Sequence, residues 1–399
     1  MTKRNLSAAV CLITSLGAGT ALAQTEAASV KLGKGIHFTP SLNLDLQNDD
    51  NVTSAEENQI ESVILVTNPN FLLAADNGVS AYSLNYSLIQ GTHFDSEDDN
   101  YLDHYVTGNA DWELDSRNRL ALSANFTDGH EPRGTGFSQG SGNAQTEPDR
   151  FASNDFNGTY TYGSDTAKGQ LVMQLGVADK DYEGGMRTAT RDRGTEYGSA
   201  TFKYNAGGRT KLLAEVGRRQ FAYDYTADGV ETLDSAEMRY QVGVTWQGTA
   251  KTSGTVKVGA RTKQFESAAR EDYTGPSWEV GVRWEPKTHS AFDFNTARRS
   301  DETSGVGNFI DVQSYTVSWH HAWIDRLSSQ VTFDHAINEY KGGAQAREDD
   351  VNTGSLRLNY QAQRWLAFNA GISLSDKEST ADGFSYEKNM TFIGLQASL

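Results

Sequence analysis

From about residue 36 onward, the chain places an apolar side chain at every second position, and this period constrains its fold more than any other feature. One example is the run Met238, Tyr240, Val242, Val244 and Trp246, which alternates with Arg239, Gln241, Gly243 and Thr245. A period of two belongs to β-strands, whereas a helix repeats every 3.6 residues. Because no stretch of about 18 uninterrupted apolar residues follows the N-terminus, membrane-spanning helices are excluded. The pattern therefore predicts an all-β protein.

The predicted connections between strands alternate in length. Short ones lie at residues 74–78, 115–118, 163–167, 205–209, 247–252, 285–289, 324–328 and 361–364. Longer polar ones lie near residues 47–59, 91–100, 128–152, 179–196, 224–235, 264–273, 300–308, 341–350 and 376–385. This rhythm predicts a transmembrane antiparallel up-and-down β-barrel of about 18 strands, or about 16, with periplasmic termini and extracellular long loops. Each strand needs only ~9–11 residues to cross a bilayer.

The distribution of side chains favours a barrel over a β-sandwich. A sandwich buries its apolar faces in one common core, whereas here the polar face is rich in charge and glycine. Aromatic residues lie near the predicted strand ends, as the girdles at membrane interfaces require. They are Tyr82, Tyr86, Trp112, Tyr160, Tyr162, Tyr204, Trp246, Trp278, Trp284, Tyr315, Trp319 and Tyr360. We expect apolar side chains to face lipid and polar ones a water-filled lumen, the alternative being a soluble exported β-protein.

The N-terminus has the features of an export signal. Lys3 and Arg4 precede a weakly apolar segment, and Ala21-Leu22-Ala23 follows it with the small-x-small pattern of a cleavage site. We therefore predict a signal peptide at 1–23, a short periplasmic segment at 24–35 and the outer-membrane barrel domain at 36–399. The single cysteine, Cys11, lies in the signal peptide, so we expect no disulfide framework and no cysteine–metal site in the mature chain.

The charge of the chain argues against nucleic acid as a partner. With 52 acidic and 35 basic side chains, the formal net charge is −17, and binding phosphates requires a positive surface. The predicted lumen face nevertheless carries a group of cations that we call the basic stripe. It consists of Lys203, Arg219, Arg239, Lys257, Arg261, Lys263, Arg283 and Arg299. We hypothesise that this stripe guides an anionic chain such as a uronic-acid polymer. The alternative is that neighbouring carboxylates and the acidic loops neutralise it.

The order of several short motifs resembles the putative β-barrel porin type 2 family, which is linked to exopolysaccharide production and export. These motifs are Asp49-Asp50-Asn51-Val52 after the first strand, Pro69 in the second, Tyr82-Ser83-Leu84-Asn85-Tyr86 in the third and Tyr386-Glu387-Lys388-Asn389 in the last. The resemblance covers essentially the whole mature chain and implies a channel. No set of functional residues carries over from it. The chain ends in Leu399, where general porins usually have an aromatic residue.

The composition of two long loops leads to functional hypotheses. Residues 128–152 contain several glycines, and this loop either folds inward as a constriction or stays at the surface as a mobile loop, the reading we favour. The cluster Asp95-Ser96-Glu97-Asp98-Asp99 offers oxygen ligands but lacks the spacing of a calcium loop, so we expect a solvated acidic loop. We predict no cofactor and no metal.

One group of side chains has the types needed for nucleophilic catalysis. Ser318, His320 and Asp334 are expected on the polar side of two neighbouring strands. Serine, histidine and aspartate suit acyl transfer, but neither a nucleophile-elbow motif nor an oxyanion donor accompanies them. We therefore predict that the protein is not an enzyme.

The sequence supports three functional hypotheses. The leading one is an outer-membrane channel that passes an anionic exopolysaccharide out of the cell and receives it from a separate periplasmic export protein. The second is a diffusion porin for small anionic solutes, and the third is a plugged barrel that acts as a surface scaffold or adhesin. Outer-membrane lipid and lipopolysaccharide are the expected surroundings, and the oligomeric state stays open.

Overall fold

The computed structural model describes residues 29–227, 229–249, 251–343 and 346–398. The predicted signal peptide at 1–23, Cys11 and Leu399 lie outside these residues. The strands are β1 Val30–Gly33, β2 Ile36–Asp49, β3 Ser62–Asp76, β4 Ser80–His93, β5 Tyr101–Glu113, β6 Asn118–Glu131, β7 Asp149–Tyr162, β8 Gly169–Tyr182, β9 Arg193–Gly207, β10 Thr210–Tyr223, β11 Ser235–Thr249, β12 Thr252–Phe265, β13 Tyr273–Lys287, β14 Ser290–Glu302, β15 Phe309–Ile324, β16 Leu327–Lys341, β17 Arg347–Gln363, β18 Leu366–Ser379 and β19 Tyr386–Ser398. Short 3-10 helices lie in the loops at Glu97–Asp99, Gly136–Ser138, Gly142–Ala144, Gly185–Arg187 and Ala189–Arg191. Among the described residues, none belongs to a helix long and apolar enough to span a membrane.

The strands β2 to β19 close into one antiparallel barrel. Each strand pairs with its neighbours in sequence, and β19 pairs with β2 from Ser398–Ser41 to Met390–Asp49. Closure gives every interior strand two partners, which a membrane-spanning sheet requires because the bilayer core offers no water to unpaired backbone groups. The predicted up-and-down barrel of about 18 strands is confirmed. The additional strand β1 pairs with the start of β2, with Val30 opposite Phe38.

Short turns and long loops alternate around the barrel as predicted. The short turns, together with the start of β2 and the end of β19, define one end, which we call the short-turn end. The opposite opening, surrounded by the long loops, is the mouth. The barrel strands have 13 to 17 residues, so they are longer than the predicted ~9–11 residues. In β7, for example, the exposed apolar side chains Phe156 and Tyr162 lie in the half near the short turn, and residues 149–155 extend towards the mouth.

Burial in this barrel is the reverse of that in a soluble protein. Leu175 is 73% exposed and Val242 is 61% exposed, whereas Arg261 and Lys263 are 1% and 0% exposed. Exposed apolar side chains alternate along each strand with polar ones that point inward, as the pleat requires. The outer surface is therefore suited to lipid, and the polar groups meet inside.

Aromatic side chains form a girdle on the outer face near the short-turn end. Its exposed members include Tyr82, Tyr162, Tyr204, Trp284 and Tyr360, all within the set expected from the sequence. The indole nitrogen of Trp112 donates to the Tyr82 hydroxyl at 2.9 Å. The predicted members Tyr86 and Tyr315 instead lie in the middle of β4 and β15, because the strands extend further than their apolar runs indicated.

Candidate functional site: a basic lumen wall and a covered mouth

The basic stripe lies on β9 to β14. Its members alternate along their strands with exposed outward residues such as Tyr240 and Val258, which places the stripe on the inner face. The early strands present Asp45, Asp103 and Asp111 to the same interior. Six of the eight stripe cations form described ion pairs. These pairs are Arg239–Glu215 at 2.8 Å, Lys257–Glu279 at 2.7 Å, Arg283–Asp293 at 2.8 Å, Arg299–Asp301 at 3.0 Å, Lys263–Glu302 at 2.5 Å and Arg261–Asp311.

Neighbouring carboxylates therefore neutralise most of the basic stripe, which agrees with the alternative hypothesis from the sequence. Within the part of the chain that the structure describes, only Lys203 and Arg219 of the stripe form no ion pair. Glu215 contacts two stripe members, since Lys257 also approaches it at 3.5 Å. The wall is a network of alternating charges, and its net field is weaker than a count of its cations indicates.

The hairpin of β14 and β15 bends into the lumen near the mouth. In the middle of the two strands the side chains keep the regular barrel orientation, with Phe294 and Val317 exposed on the outer face. Glu302 and Asp311 share that face by alternation, yet both are buried and contact inward side chains of β12. This is possible only if the end of the hairpin crosses inside the wall, with its outer face against the inner face of β10 to β13. We call this hairpin of β14 and β15 the in-turned hairpin.

A proline marks the place where the in-turned hairpin leaves the wall. Pairing between β13 and β14 ends at Trp278–Arg298, although β13 continues to Tyr273 and β14 to Glu302. Pro276 lies just beyond this point and has no N–H to donate to a neighbouring strand. Its carbonyl oxygen instead accepts a hydrogen bond from Arg261 Nη1 at 2.8 Å. The Arg261 guanidinium thus replaces the backbone donor that the departing strand no longer supplies to Pro276.

Two carboxylates of the in-turned hairpin are held by matching pairs of wall residues. Asp311 is 0% exposed; it accepts hydrogen bonds from the Arg261 guanidinium and, at 2.7 Å, from the Tyr273 hydroxyl. We call Arg261 and Tyr273 the arginine site. Glu302 accepts from Lys263 Nζ at 2.5 Å and from the Tyr223 hydroxyl at 2.6 Å. We call Lys263 and Tyr223 the lysine site.

Further contacts within and around the hairpin reinforce this arrangement. Arg298, on the hairpin itself, donates to Asp311 at 2.7 Å. The ring of Phe309 meets that of Tyr273 at 4.9 Å between centroids, and Lys263 Nζ lies 4.2 Å from the centre of the Phe221 ring. A cation over an aromatic face is stabilised electrostatically. Charged and aromatic contacts together fix the hairpin against the wall.

A second hairpin, β6 and β7, bends inward from the far side. Pairing of β5 with β6 ends at His104–Asp128, whereas β6 and β7 stay paired to Glu131–Asp149. Beyond that point His130, on the face of the exposed Phe126, contacts inward Asp103 at 2.9 Å.

The connection between β6 and β7 extends across the mouth, and we call its residues 132–148 the crossing loop. Thr53 Oγ1 donates to Asn143 at 2.7 Å, and Gln139 accepts from Arg347 at 2.7 Å. A β-carbon added to Gly305, in the loop of the in-turned hairpin, would lie 2.7 Å from the ring of Phe137. The crossing loop thus contacts loops on both sides of the barrel. The expectation of a mobile surface loop was wrong, because side chains of the surrounding loops fix it.

An ion pair anchors the start of the crossing loop. Arg133 Nε and Nη2 donate to the two carboxylate oxygens of Asp99 at 2.7 and 2.5 Å, and both side chains are nearly buried. Burial by itself raises the pKa of Asp99, but hydrogen bonds from Arg133 and Ser96 outweigh it, so that the pKa lies below its usual value. The expectation of a fully solvated acidic loop is therefore wrong for Asp99, whereas Glu97 and Asp98 are exposed.

The predicted catalytic types do not meet as a triad. Ser318 shares a hydrogen bond with Thr332 at 3.1 Å, Asp334 accepts from Thr316 at 2.6 Å, and His320 Nε2 lies 3.1 Å from Asp293. The histidine partner comes from β14, on the opposite side of β15 from Asp334. Within the described residues no group of three or more side chains is arranged to hold a metal ion.

Sequence reasoning missed the residues that hold the in-turned hairpin. Tyr223, Tyr273, Glu302 and Asp311 lie at strand ends, where periodicity is least informative. The signal that could have found them is Pro276, since a proline inside a strand pattern indicates an edge or a break in pairing.

Comparisons with known proteins agree with this architecture. A family model described as putative beta-barrel porin 2 matches residues 26–399. No curated protein matches the chain. The outer membrane protein opdK from Pseudomonas aeruginosa superposes with a TM-score of 0.51 at 11% identity, over 91% of this chain and 98% of that one. The FrpB iron transporter from Neisseria meningitidis (F5-1 variant) gives a TM-score of 0.51 at 8% identity, over 91% and 82%. At these identities the likeness shows a shared fold.

Proposed function

The chain belongs to the family described as putative beta-barrel porin 2, and from this premise we propose that it forms an outer-membrane channel for an anionic saccharide. The barrel and its family support a channel in the outer membrane. The cargo we propose is an exopolysaccharide that leaves the cell, in keeping with the resemblance noted in the sequence. We further propose that residues 1–23 are cleaved on export and that the short-turn end faces the periplasm.

The inner wall of β10 to β13 carries this proposal. In a chain with a net charge of −17, the arginine and lysine sites each combine a cation with a tyrosine hydroxyl around a carboxylate. Charge-assisted hydrogen bonds of this kind are the means by which proteins recognise carboxylates. The same groups suit the uronic acids of an anionic saccharide.

Ion selectivity tests the proposal directly. We expect the purified barrel to conduct anions in preference to cations, and Arg239→Glu with Arg283→Glu to reverse that preference, because both side chains face the lumen. The matched control is Arg117→Glu with Arg326→Glu, which changes the charge equally but in the short turns. Reversal potentials in planar bilayers under a salt gradient give the measurement. Unchanged selectivity in the lumen variant would contradict a guiding role for the stripe.

The covered mouth favours a second candidate, a diffusion porin for small anionic solutes. The crossing loop and the in-turned hairpin meet at Phe137 and Gly305, which leaves less room for a polymer than an open barrel does. The two candidates differ in the effect of gene deletion. Loss of surface polysaccharide supports export, whereas slow growth on one anionic nutrient supports the porin. A plugged scaffold would show no conductance.

For an exported polymer we also propose a separate periplasmic protein that docks at the short turns. The barrel strands are joined there by tight connections, so a partner could approach the lumen closely. Co-purification in mild detergent tests this partner; repeated recovery of the barrel alone would count against it. We propose no catalytic step, in line with the separation of Ser318, His320 and Asp334.

A further inference from the structure

The in-turned hairpin places its own carboxylates in two sites that have the composition of ligand-binding sites. The forked guanidinium of Arg261 and the hydroxyl of Tyr273 converge on Asp311, and Lys263 and Tyr223 converge on Glu302. In both sites the donors come from the wall and the acceptor comes from the hairpin. A carboxylate on another molecule would satisfy the same donors.

The arginine site has binding capacity that Asp311 does not use. Arg261 is 1% exposed, and its Nε has no hydrogen-bond partner among the described residues. Ser300, on the hairpin and 3% exposed, also has an unpartnered hydroxyl. Buried polar groups without partners are uncommon and call for an explanation. An additional hydrogen-bond acceptor, bound in the arginine site, would give Arg261 Nε the partner that it lacks.

The spacing of the two sites suits a ligand with repeated negative groups. Arg261 and Lys263 are two residues apart on β12, so both side chains point to the same face and their α-carbons are about 6.6 Å apart. A uronic-acid polymer presents one carboxylate per acidic sugar along its length. Two cations in a row on one strand can therefore bind successive carboxylates of a single chain.

We propose that the arginine and lysine sites bind carboxylates of the saccharide cargo, and that Asp311 and Glu302 occupy these sites in the closed channel. This inference rests on the proposed function and deepens it. The cargo competes with the hairpin for the same donors. When both carboxylates are displaced, the Arg261–Asp311 and Lys263–Glu302 ion pairs are lost, and the end of the hairpin moves away from the lumen wall.

Neutralising the two hairpin carboxylates tests this competition. We use the channel variant Glu302→Gln with Asp311→Asn in planar bilayers, with a trimer of galacturonic acid as the probe. Because the wall donors are released, we expect the trimer to block the current at a concentration at least about tenfold lower than in the wild type. The further changes Arg261→Gln and Lys263→Gln in the same background should abolish this gain.

The matched control is Asp45→Asn with Asp111→Asn, which removes two lumen carboxylates from β2 and β5. This control changes the charge equally, so a block as strong as in the hairpin variant would overturn the proposal. If the double variant does not fold, as judged by heat-dependent gel migration, each single variant is expected to show part of the gain. Unchanged block in the hairpin variant of an anion-selective wild type contradicts this inference alone. A cation-selective wild type contradicts the proposed function.

Discussion

The ion pair of Arg133 and Asp99 shows how one residue can anchor the start of a long loop. The carboxylate receives two hydrogen bonds from the guanidinium and one from Ser96. A buried carboxylate is stable only with such partners, since desolvation otherwise favours the neutral acid. Removing one member of a buried pair typically costs about 3–5 kcal/mol. The crossing loop is therefore attached to the loop after β4 by a contact that depends on charge.

We predict that acid releases the crossing loop. Because the pKa of Asp99 is lower in the folded protein than in an unfolded loop, the ion pair stabilises docking above about pH 3.9, the ordinary aspartate pKa. This stabilisation is lost as the pH falls through the lowered folded pKa. Asp99→Asn should release the loop at neutral pH as well. Hydrogen exchange of residues 132–148 measures the effect, with exposed Asp98→Asn as the control that should behave as the wild type.

At the scale of the single strand, alternation decides which solvent each side chain meets. On β8, Leu175 points outward and is 73% exposed, whereas its neighbour Gln174 points inward. The same alternation holds in the middle of the other barrel strands. It ends near the mouth in β14 and β15, where the hairpin bends and former outer positions become buried. The alternation of lipid-facing and lumen-facing side chains thus holds only where a strand stays in the barrel wall.

We predict that Leu175→Arg destabilises the barrel in phospholipid vesicles by about 2–4 kcal/mol if it lies near the bilayer midplane, because it places a charge in lipid. Gln174→Arg, one residue away but facing the lumen, should cost much less. Urea unfolding in vesicles gives both values. Equal costs for the two variants would show that the assignment of the lipid face is wrong.

For the whole molecule, the important feature is how two opposite hairpins cover one end of the barrel. The β6–β7 and β14–β15 hairpins both leave the wall where pairing to the preceding strand stops, and their loops meet near Phe137 and Gly305. A barrel of this size otherwise encloses a wide aqueous channel. The two hairpins and the crossing loop therefore cover part of this opening.

We predict that replacing residues 135–145 by a short glycine–serine linker raises single-channel conductance several-fold, because the crossing loop narrows the mouth. A truncation of the loop after β10, within residues 225–230, is the control and should change conductance little. Single-channel recordings in planar bilayers test both. Identical conductance in the wild type and the crossing-loop variant would mean that the main resistance lies elsewhere.

The sequence by itself determined the barrel, its strand rhythm and the inward face of the basic stripe. These properties depend on local alternation, which is visible wherever a strand meets lipid on one side and water on the other. It also placed Ser318, His320 and Asp334 on the polar side of two neighbouring strands. It did not predict that His320 contacts Asp293 on β14, because a hairpin partner is visible in sequence and a partner on the other neighbouring strand is not.

Only the tertiary structure decided which groups neutralise the stripe and what covers the mouth. Asp311 pairs with Arg261 across 50 positions of sequence, and Glu302 pairs with Lys263 across 39. Both carboxylates belong to the face that alternation assigns to the outside of the barrel. The bend that reverses this assignment depends on where pairing of β13 with β14 stops. Contacts between distant loops and the end of a strand pairing leave no periodic mark in the sequence, which is the physical reason why the pattern could not reveal them.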